Sequence, residues 1–159
     1  MRFYKISSIS SEKSIVFRCV ENYNSNSIAL DYAAKNDILP ESFATKSLTI
    51  SQVDEAEYKD YLLGKMYDVF YQELERIKES WKNKTPDEIC SECYKAVYIG
   101  DIMHNLNEAA PSMFEYLTLE KWLNSPDNMI RTIYRRIENG DFSGYNERIC
   151  SYIANGLEE

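Results

Sequence analysis

The sequence predicts an α+β fold in which a small β-β-α-β unit precedes an all-α helical bundle. Segments rich in β-branched and aromatic residues lie in the first third of the chain, and apolar residues recur at steps of three and four after it. The charge balance changes at the same place. Residues 1–50 carry six basic and five acidic side chains, whereas residues 51–159 carry twelve and twenty-one. We therefore expect two domains, 1–53 and 54–159.

The first domain is expected to contain three strands and one helix. The strands are predicted at residues 2–9, 14–21 and 47–53. A helix is predicted over residues 26–38, with Ser25 or Asn26 as its cap and Pro40 as its end. Three strands and one helix bury little surface, so we expect this unit to rely on the rest of the chain.

A long amphipathic helix is predicted to open the second domain. Its apolar stripe consists of Tyr58, Leu62, Met66, Val69, Phe70, Leu74, Ile77 and Trp81. This spacing predicts a helix of roughly 28 residues. Gly64 lies inside the stripe and lowers the helix propensity only slightly.

Helix starts and stops are marked along the rest of the chain. Thr85, Pro86 and Glu88 form a capping-box pattern, and the helix that follows is expected to break at Gly100. The remaining predictions are a short helix capped by Asp101, a short piece capped by Thr118, a helix from Ser125-Pro126-Asp127 to Gly140, and a last helix near 145–155.

Composition excludes several classes of protein. The chain has 159 residues, a net charge of −8 and only five glycines. Proteins that track phosphate backbones usually carry the opposite charge, so direct nucleic-acid binding is not favoured. No apolar run approaches the ~20 residues of a membrane span, and the N-terminus lacks the apolar region of a signal peptide. We expect a cytoplasmic protein with no membrane partner.

The residue patterns of catalysis and metal binding are missing from the sequence. Cys90 and Cys93 form one C-x-x-C, but there is no second pair, and His104 is the only histidine. No glycine-rich phosphate loop or Ser/His/Asp order is present. We expect no enzyme activity, no cofactor and no metal. Cys90 and Cys93 are expected to be buried apolar side chains in a reducing cytosol; metal binding or redox switching is the alternative.

The predicted binding residues lie on the long helix, where carboxylates and tyrosines are dense. These residues are Asp54, Glu57, Asp60, Tyr61, Asp68, Tyr71 and Glu75. Like charges at helical spacing cost helix stability, which a basic partner surface would offset. Tyrosine is a frequent contact residue at interfaces. The alternative interpretation is a solvated helix face with no partner.

A smaller basic cluster lies further along the chain. Arg131, Arg135 and Arg136 fall on one helix and share a face. We expect them to pair with carboxylates of the same chain, such as Glu138, Glu120 or those of the acidic helix. The alternative is an arginine patch that binds carboxylates or phosphates, as a DNA-binding regulator would need.

One resemblance rests on helix-start and packing motifs. They are Leu62-Leu63-Gly64-Lys65-Met66, Thr85-Pro86-Asp87-Glu88-Ile89, and the stretch from Ala96 to Gly100-Asp101-Ile102. With these motifs, residues 60–155 resemble an uncharacterised family of small helical proteins from Gram-positive bacteria and their phages and plasmids. The resemblance implies a helical fold and says nothing of mechanism.

In its general character the chain also resembles anti-CRISPR inhibitors of Cas9. It is small, acidic and tyrosine-rich, and it joins a β-β-α-β unit to a helical bundle. The resemblance implies a phage or mobile-element protein that binds a type II Cas9 nuclease, at its nuclease domain or nucleic-acid channel, and blocks DNA cleavage. It would act as a monomer or dimer in the bacterial cytoplasm. The alternative is an antitoxin-like or regulatory partner of a host protein.

Overall fold

The computed structural model describes residues 1–8, 14–19, 26–36, 38–39, 43, 48–139 and 145–154. The fold is α+β, with a three-stranded sheet at the N-terminus followed by helices, as predicted. The strands are β1 (Arg2–Ser8), β2 (Ser14–Cys19) and β3 (Leu48–Val53). The helices are α1 (Asn26–Lys35), α2 (Glu55–Trp81), α3 (Pro86–Glu108), α4 (Tyr116–Leu123), α5 (Pro126–Glu138) and α6 (Tyr145–Ala154), with a short 3-10 helix at Pro111–Met113. The chain divides into two compact units, Met1–Tyr61 and Leu62–Glu159.

The sheet of the first unit is antiparallel, and β1 is its central strand. Ile6 of β1 lies opposite Ile15 in β2 and Ile50 in β3. Side chains of a strand alternate between the two faces of a sheet. On one face, Ile6 packs in a buried cluster that includes Ala29 and Ala33 of α1. The β-β-α-β order is therefore confirmed. The predicted caps Ser25 and Asn26 and the stop at Pro40 lie outside the residues or side chains that are described.

The second face of the sheet is covered by the first turns of α2, which belong to the same compact unit. The ring of Phe3 stacks on the ring of Tyr58 with centroids 4.8 Å apart. Next to this stack, the Nζ of Lys5 lies 2.8 Å from the Oε1 of Glu57. Two-sided coverage supplies the buried surface that three strands and one helix alone would lack.

The long helix α2 has 27 residues, close to the predicted length. Asp54 precedes it, and its Oδ1 accepts a 2.8 Å hydrogen bond from the backbone N–H of Glu57. This capping bond satisfies one of the N–H groups that a helix start leaves without a partner. The predicted stripe forms the buried side of α2 and includes Met66, Phe70 and Ile77.

Helix α3 begins as predicted but continues past the predicted break. The hydroxyl of Thr85 accepts a hydrogen bond from the N–H of Glu88, and the carboxylate of Glu88 accepts one from the N–H of Thr85. The predicted break at Gly100, with a new helix capped by Asp101, is wrong. A mid-helix glycine costs about 1 kcal/mol relative to alanine. Burial of Ile99, Ile102 and their neighbours on the same helix outweighs that cost.

The later helices follow the prediction with two corrections. Helix α4 begins at Tyr116, so Thr118 lies inside it and is not its cap. Ser125 occupies the N-cap position of α5, but its side chain makes no capping hydrogen bond. The predicted stop at Gly140 is outside the described residues. Across the described helices, none combines the length and the apolar content that crossing a membrane would require.

The core of the second unit is held by apolar packing and by two hydrogen bonds to the end of α6. Ile133 of α5 and Ile149 of α6 are fully buried. The indole N–H of Trp122 donates to the carbonyl of Ile153 over 3.0 Å. Arg136 donates to the carbonyl of Tyr152, also over 3.0 Å. These bonds connect α4 and α5 to the last turn of α6.

Acidification is expected to weaken the start of α3. Hydrogen bonds from the backbone and the hydroxyl of Thr85 hold the pKa of Glu88 below its ordinary value of 4.5. A carboxyl with a lowered folded-state pKa stabilises the fold above its unfolded pKa and loses that contribution as the pH falls through its folded pKa. The melting temperature of the native chain should therefore fall more steeply below pH 4.5 than that of Glu88→Gln, as measured by circular dichroism. Glu108→Gln, at the exposed far end of α3, is the control, and identical profiles for native chain and Glu88→Gln would contradict the prediction.

Candidate protein-binding surface

Four of the seven predicted binding residues belong to the first compact unit. The carboxylate of Asp54 caps α2, and that of Glu57 pairs with Lys5. Asp60 is exposed, and Tyr61 is half-buried. Two of these four side chains thus make contacts that hold their own unit together, which leaves Asp60 as the clearest surface carboxylate of the group.

The other three predicted residues lie together on the solvent face of α2 in the second unit. Asp68 and Glu75 are seven residues apart, which on a helix places them within about 20° of one another. Tyr71 lies between them, and half of its surface is exposed. We refer to Asp68, Tyr71 and Glu75 as the acidic face.

Lysines one turn further along the helix partly neutralise this region. The Nζ of Lys78 donates to the Oε1 of Glu75 over 2.9 Å, and this hydrogen bond to the carboxylate raises the pKa of Lys78. Glu79, which was not among the predicted residues, continues the face and pairs with Lys82. Glu79 is four residues from Glu75, and residues at this spacing lie next to one another on a helix. This spacing is the sequence signal that places Glu79 with the predicted residues. Exposed pairs of this kind contribute little to stability.

The prediction that Cys90 and Cys93 are buried is wrong. Both side chains are exposed on α3, and the Sγ of Cys93 donates to the carbonyl of Cys90 over 3.2 Å. The reason is that residues 86–98 of α3 include no buried side chain. Burial in this helix begins only at Ile99. The exposure of Cys90 and Cys93 therefore follows from their position on α3 and not from the apolar character of cysteine.

The three arginines of α5 do not form one patch. Arg131 and Arg135 are exposed, whereas Arg136 is half-buried and bonds to the carbonyl of Tyr152. The expected pairing with carboxylates is wrong for all three within the described part of the chain, where none of them forms an ion pair. The partner of Arg136 is instead a backbone oxygen. A helix end offers such carbonyls because its last four have no partner within the helix.

A cleft of about 420 Å³ lies among α2, α3 and α5 in the second unit, and the residue spacing did not predict it. Its lining consists of Glu73, Arg76, Lys95, Asp127, Ile130, Arg131 and Tyr134. In its wall, the Nε and Nη2 of Arg76 each lie 2.7 Å from an oxygen of Glu73. The carboxylate of Glu73 is largely buried, and this two-point contact compensates its charge and raises the pKa of Arg76.

The hydroxyl of Tyr134 in the same cleft is buried and has no hydrogen-bond partner among the described residues. Burial, and next the negative charge of Glu73, raise the pKa of Tyr134. The hydroxyl therefore stays protonated and can donate a hydrogen bond. An unpaired buried hydroxyl costs free energy in the folded protein.

Comparisons with known proteins identify no relative. No family model, curated protein or solved structure matches the chain. Within the described residues, no cluster of three or more histidine, cysteine or carboxylate side chains is placed to hold a metal ion.

Replacement of Tyr134 by phenylalanine is expected to stabilise the unliganded protein. Tyr134→Phe removes the unpaired hydroxyl, which water solvates in the unfolded chain, so the free energy of unfolding should rise by about 1 kcal/mol. Urea denaturation followed by circular dichroism measures this difference. Tyr71→Phe, at a half-exposed tyrosine, should change it by less than about 0.5 kcal/mol. A clear loss of stability in Tyr134→Phe alone would show that its hydroxyl already has a partner.

The four thiols are expected to differ in reactivity. Cys90 and Cys93 are exposed, Cys19 is fully buried, and burial raises the pKa of Cys150. Because thiolates react and buried thiols do not, dithionitrobenzoate should modify two thiols quickly in the native protein. The half-buried Cys150 should react slowly, and Cys19 only after denaturation. The fast phase should disappear in the Cys90→Ser/Cys93→Ser double variant. Survival of that phase would contradict the exposure of these two side chains.

Proposed function

We propose that this chain is a non-enzymatic protein-binding module that docks the acidic face of α2 on a basic protein surface. The observation that carries the proposal is the position of Tyr71, a half-exposed aromatic side chain between Asp68 and Glu75. Tyrosine supplies apolar contact area and a polar tip at little entropic cost, which is why it is common at interface centres.

The charges around Tyr71 fit a role in partner selection. Carboxylates opposite a basic surface speed association and disfavour partners of like charge. The lysines that pair with Glu75 and Glu79 make only weak surface contacts. A partner that offers several cations at once would displace them and gain the electrostatic complementarity.

For the partner we propose a type II Cas9 nuclease, so that the protein acts as an anti-CRISPR inhibitor. Nucleases of this kind hold their guide–target heteroduplex in a positively charged channel, and cleavage requires docking of the HNH domain. An acidic surface with a central tyrosine presents carboxylates where phosphates would lie and a ring where a base would lie. The resemblance in size, acidity and tyrosine content supports the same assignment.

The test is target-DNA cleavage by purified type II Cas9 enzymes in the presence of the native chain or of charge-reversed variants. We expect inhibition by the native chain. We expect affinity to fall by about tenfold or more in Asp68→Lys/Glu75→Lys, because close charge pairs across interfaces contribute at least that much. Tyr71→Ala should have an effect of similar size if the ring is an anchor. Glu108→Lys, an exposed reversal on α3, should inhibit like the native chain.

The outcomes separate the proposal from its alternative. Loss of cleavage with target binding retained would indicate the nuclease domain, and loss of both would indicate the nucleic-acid channel. Equal inhibition by the native chain and by Asp68→Lys/Glu75→Lys would overturn the acidic face as the contact. Failure to inhibit any of the enzymes would overturn the Cas9 assignment and favour an antitoxin-like or regulatory partner of a host protein.

A further inference from the structure

The cleft among α2, α3 and α5 is cationic in a chain that is acidic overall. Three of its lining side chains, Arg76, Lys95 and Arg131, are cations. Neither Lys95 nor Arg131 forms an ion pair within the described part of the chain, and the Nζ of Lys95 lies 5.9 Å from the ring centre of Tyr94. The lining also contains the carboxylates of Glu73 and Asp127, so its net charge is one positive unit. Lys95 and Arg131 are the two cations that remain available to an anion there.

Arg76 is held in position before any ligand arrives. The buried carboxylate of Glu73 accepts hydrogen bonds from its Nε and Nη2. This contact orients the planar guanidinium although most of the Arg76 side chain is exposed, and Nη1 has no partner in the described residues. A fixed donor loses little freedom when a ligand binds, which favours affinity. The contact with Glu73 thus leaves the Nη1 of Arg76 available to donate a hydrogen bond to a ligand.

The donors of the cleft exceed what a carboxylate can use. Arg76, Lys95 and Arg131 line the cleft and can each donate to a separate oxygen. A phosphate monoester presents three terminal oxygens and about two negative charges, whereas a carboxylate presents two oxygens and one charge. The number of donors therefore matches a phosphate group better.

The size and the remaining wall of the cleft indicate an organic ligand. Its volume of about 420 Å³ lies within the range of roughly 300–1,000 Å³ that is typical of small-molecule sites. Ile130 contributes an apolar side chain to the lining, against which a carbon skeleton can pack. We propose that this cleft binds a small organic phosphate monoester through Arg76, Lys95 and Arg131. The proposal does not rest on the acidic face or on Cas9.

Asp127 provides a test in which a substitution is expected to strengthen ligand binding. Its carboxylate lines the same cleft and would repel a bound phosphate. Asp127→Asn should therefore bind the ligand several-fold more tightly than the native chain. Arg131→Gln and Lys95→Gln should each bind it at least about tenfold more weakly, because each removes a charge-assisted hydrogen bond to the phosphate.

The experiment is a titration of the full chain with adenosine monophosphate, ribose phosphate and inorganic phosphate, followed by calorimetry and by amide chemical shifts. Adenosine and ribose are the matched probes without phosphate. Arg135→Gln is the control variant, because Arg135 is an exposed cation of the same helix outside the lining. We expect saturable shifts at the cleft residues with the phosphorylated probes, no binding of adenosine or ribose, and no effect of Arg135→Gln.

Three results would overturn the proposal. The first is the absence of cleft shifts with every phosphorylated probe at millimolar concentration. The second is equal binding of adenosine and adenosine monophosphate. The third is equal weakening by Arg135→Gln and Arg131→Gln, which would indicate general attraction to surface charge. Circular dichroism of each variant confirms that it is folded. None of these results depends on inhibition of a nuclease, so this proposal and the proposed function fail separately.

Discussion

The carbonyl groups at the end of α6 impose the constraint on which the helical unit depends. The last four carbonyls of a helix have no partner within it, and burying them unpaired costs free energy. Here the indole of Trp122 and the guanidinium of Arg136 reach two of them, at Ile153 and Tyr152. Because Ile149 and Ile153 on α6 are fully buried, the helix cannot move outward to let water satisfy those groups. Helices α4 and α5 are therefore fixed relative to α6.

The same constraint separates two arginines of α5. Arg136 is committed to α6, whereas Arg131 remains in the lining of the cleft. Helix α2 is divided in a similar way. Glu73 and Arg76 belong to the cleft, while Asp68 and Glu75 lie on the solvent face, about 140° or more from Glu73. One helix thus carries two surfaces of different character.

Local signals in the sequence were sufficient for most of the fold. The capping box at Thr85 and Glu88, the stripe through Met66 and the alternation in the strands each depend on residues close together in the chain. Local signals do not predict that α3 continues through Gly100, because burial of neighbouring side chains against distant residues outweighs a local propensity. The exposure of Cys90 and the whole cleft could not be predicted, because both depend on which turns of separate helices meet. Of the predicted binding residues, Asp68, Tyr71 and Glu75 are near one another because a single helix carries them.

The uneven burial along α3 has a consequence for its motions. Its first half, residues 86–98, has no buried side chain, whereas its second half contains Ile99, Ile102 and Leu106 in the core. Opening of the first half requires little more than the loss of its cap, while opening of the second half disrupts the core. Amide hydrogen exchange should therefore be fast at one end of this continuous helix and slow at the other. Lys95 belongs to the fast half, so occupation of the cleft would slow exchange there.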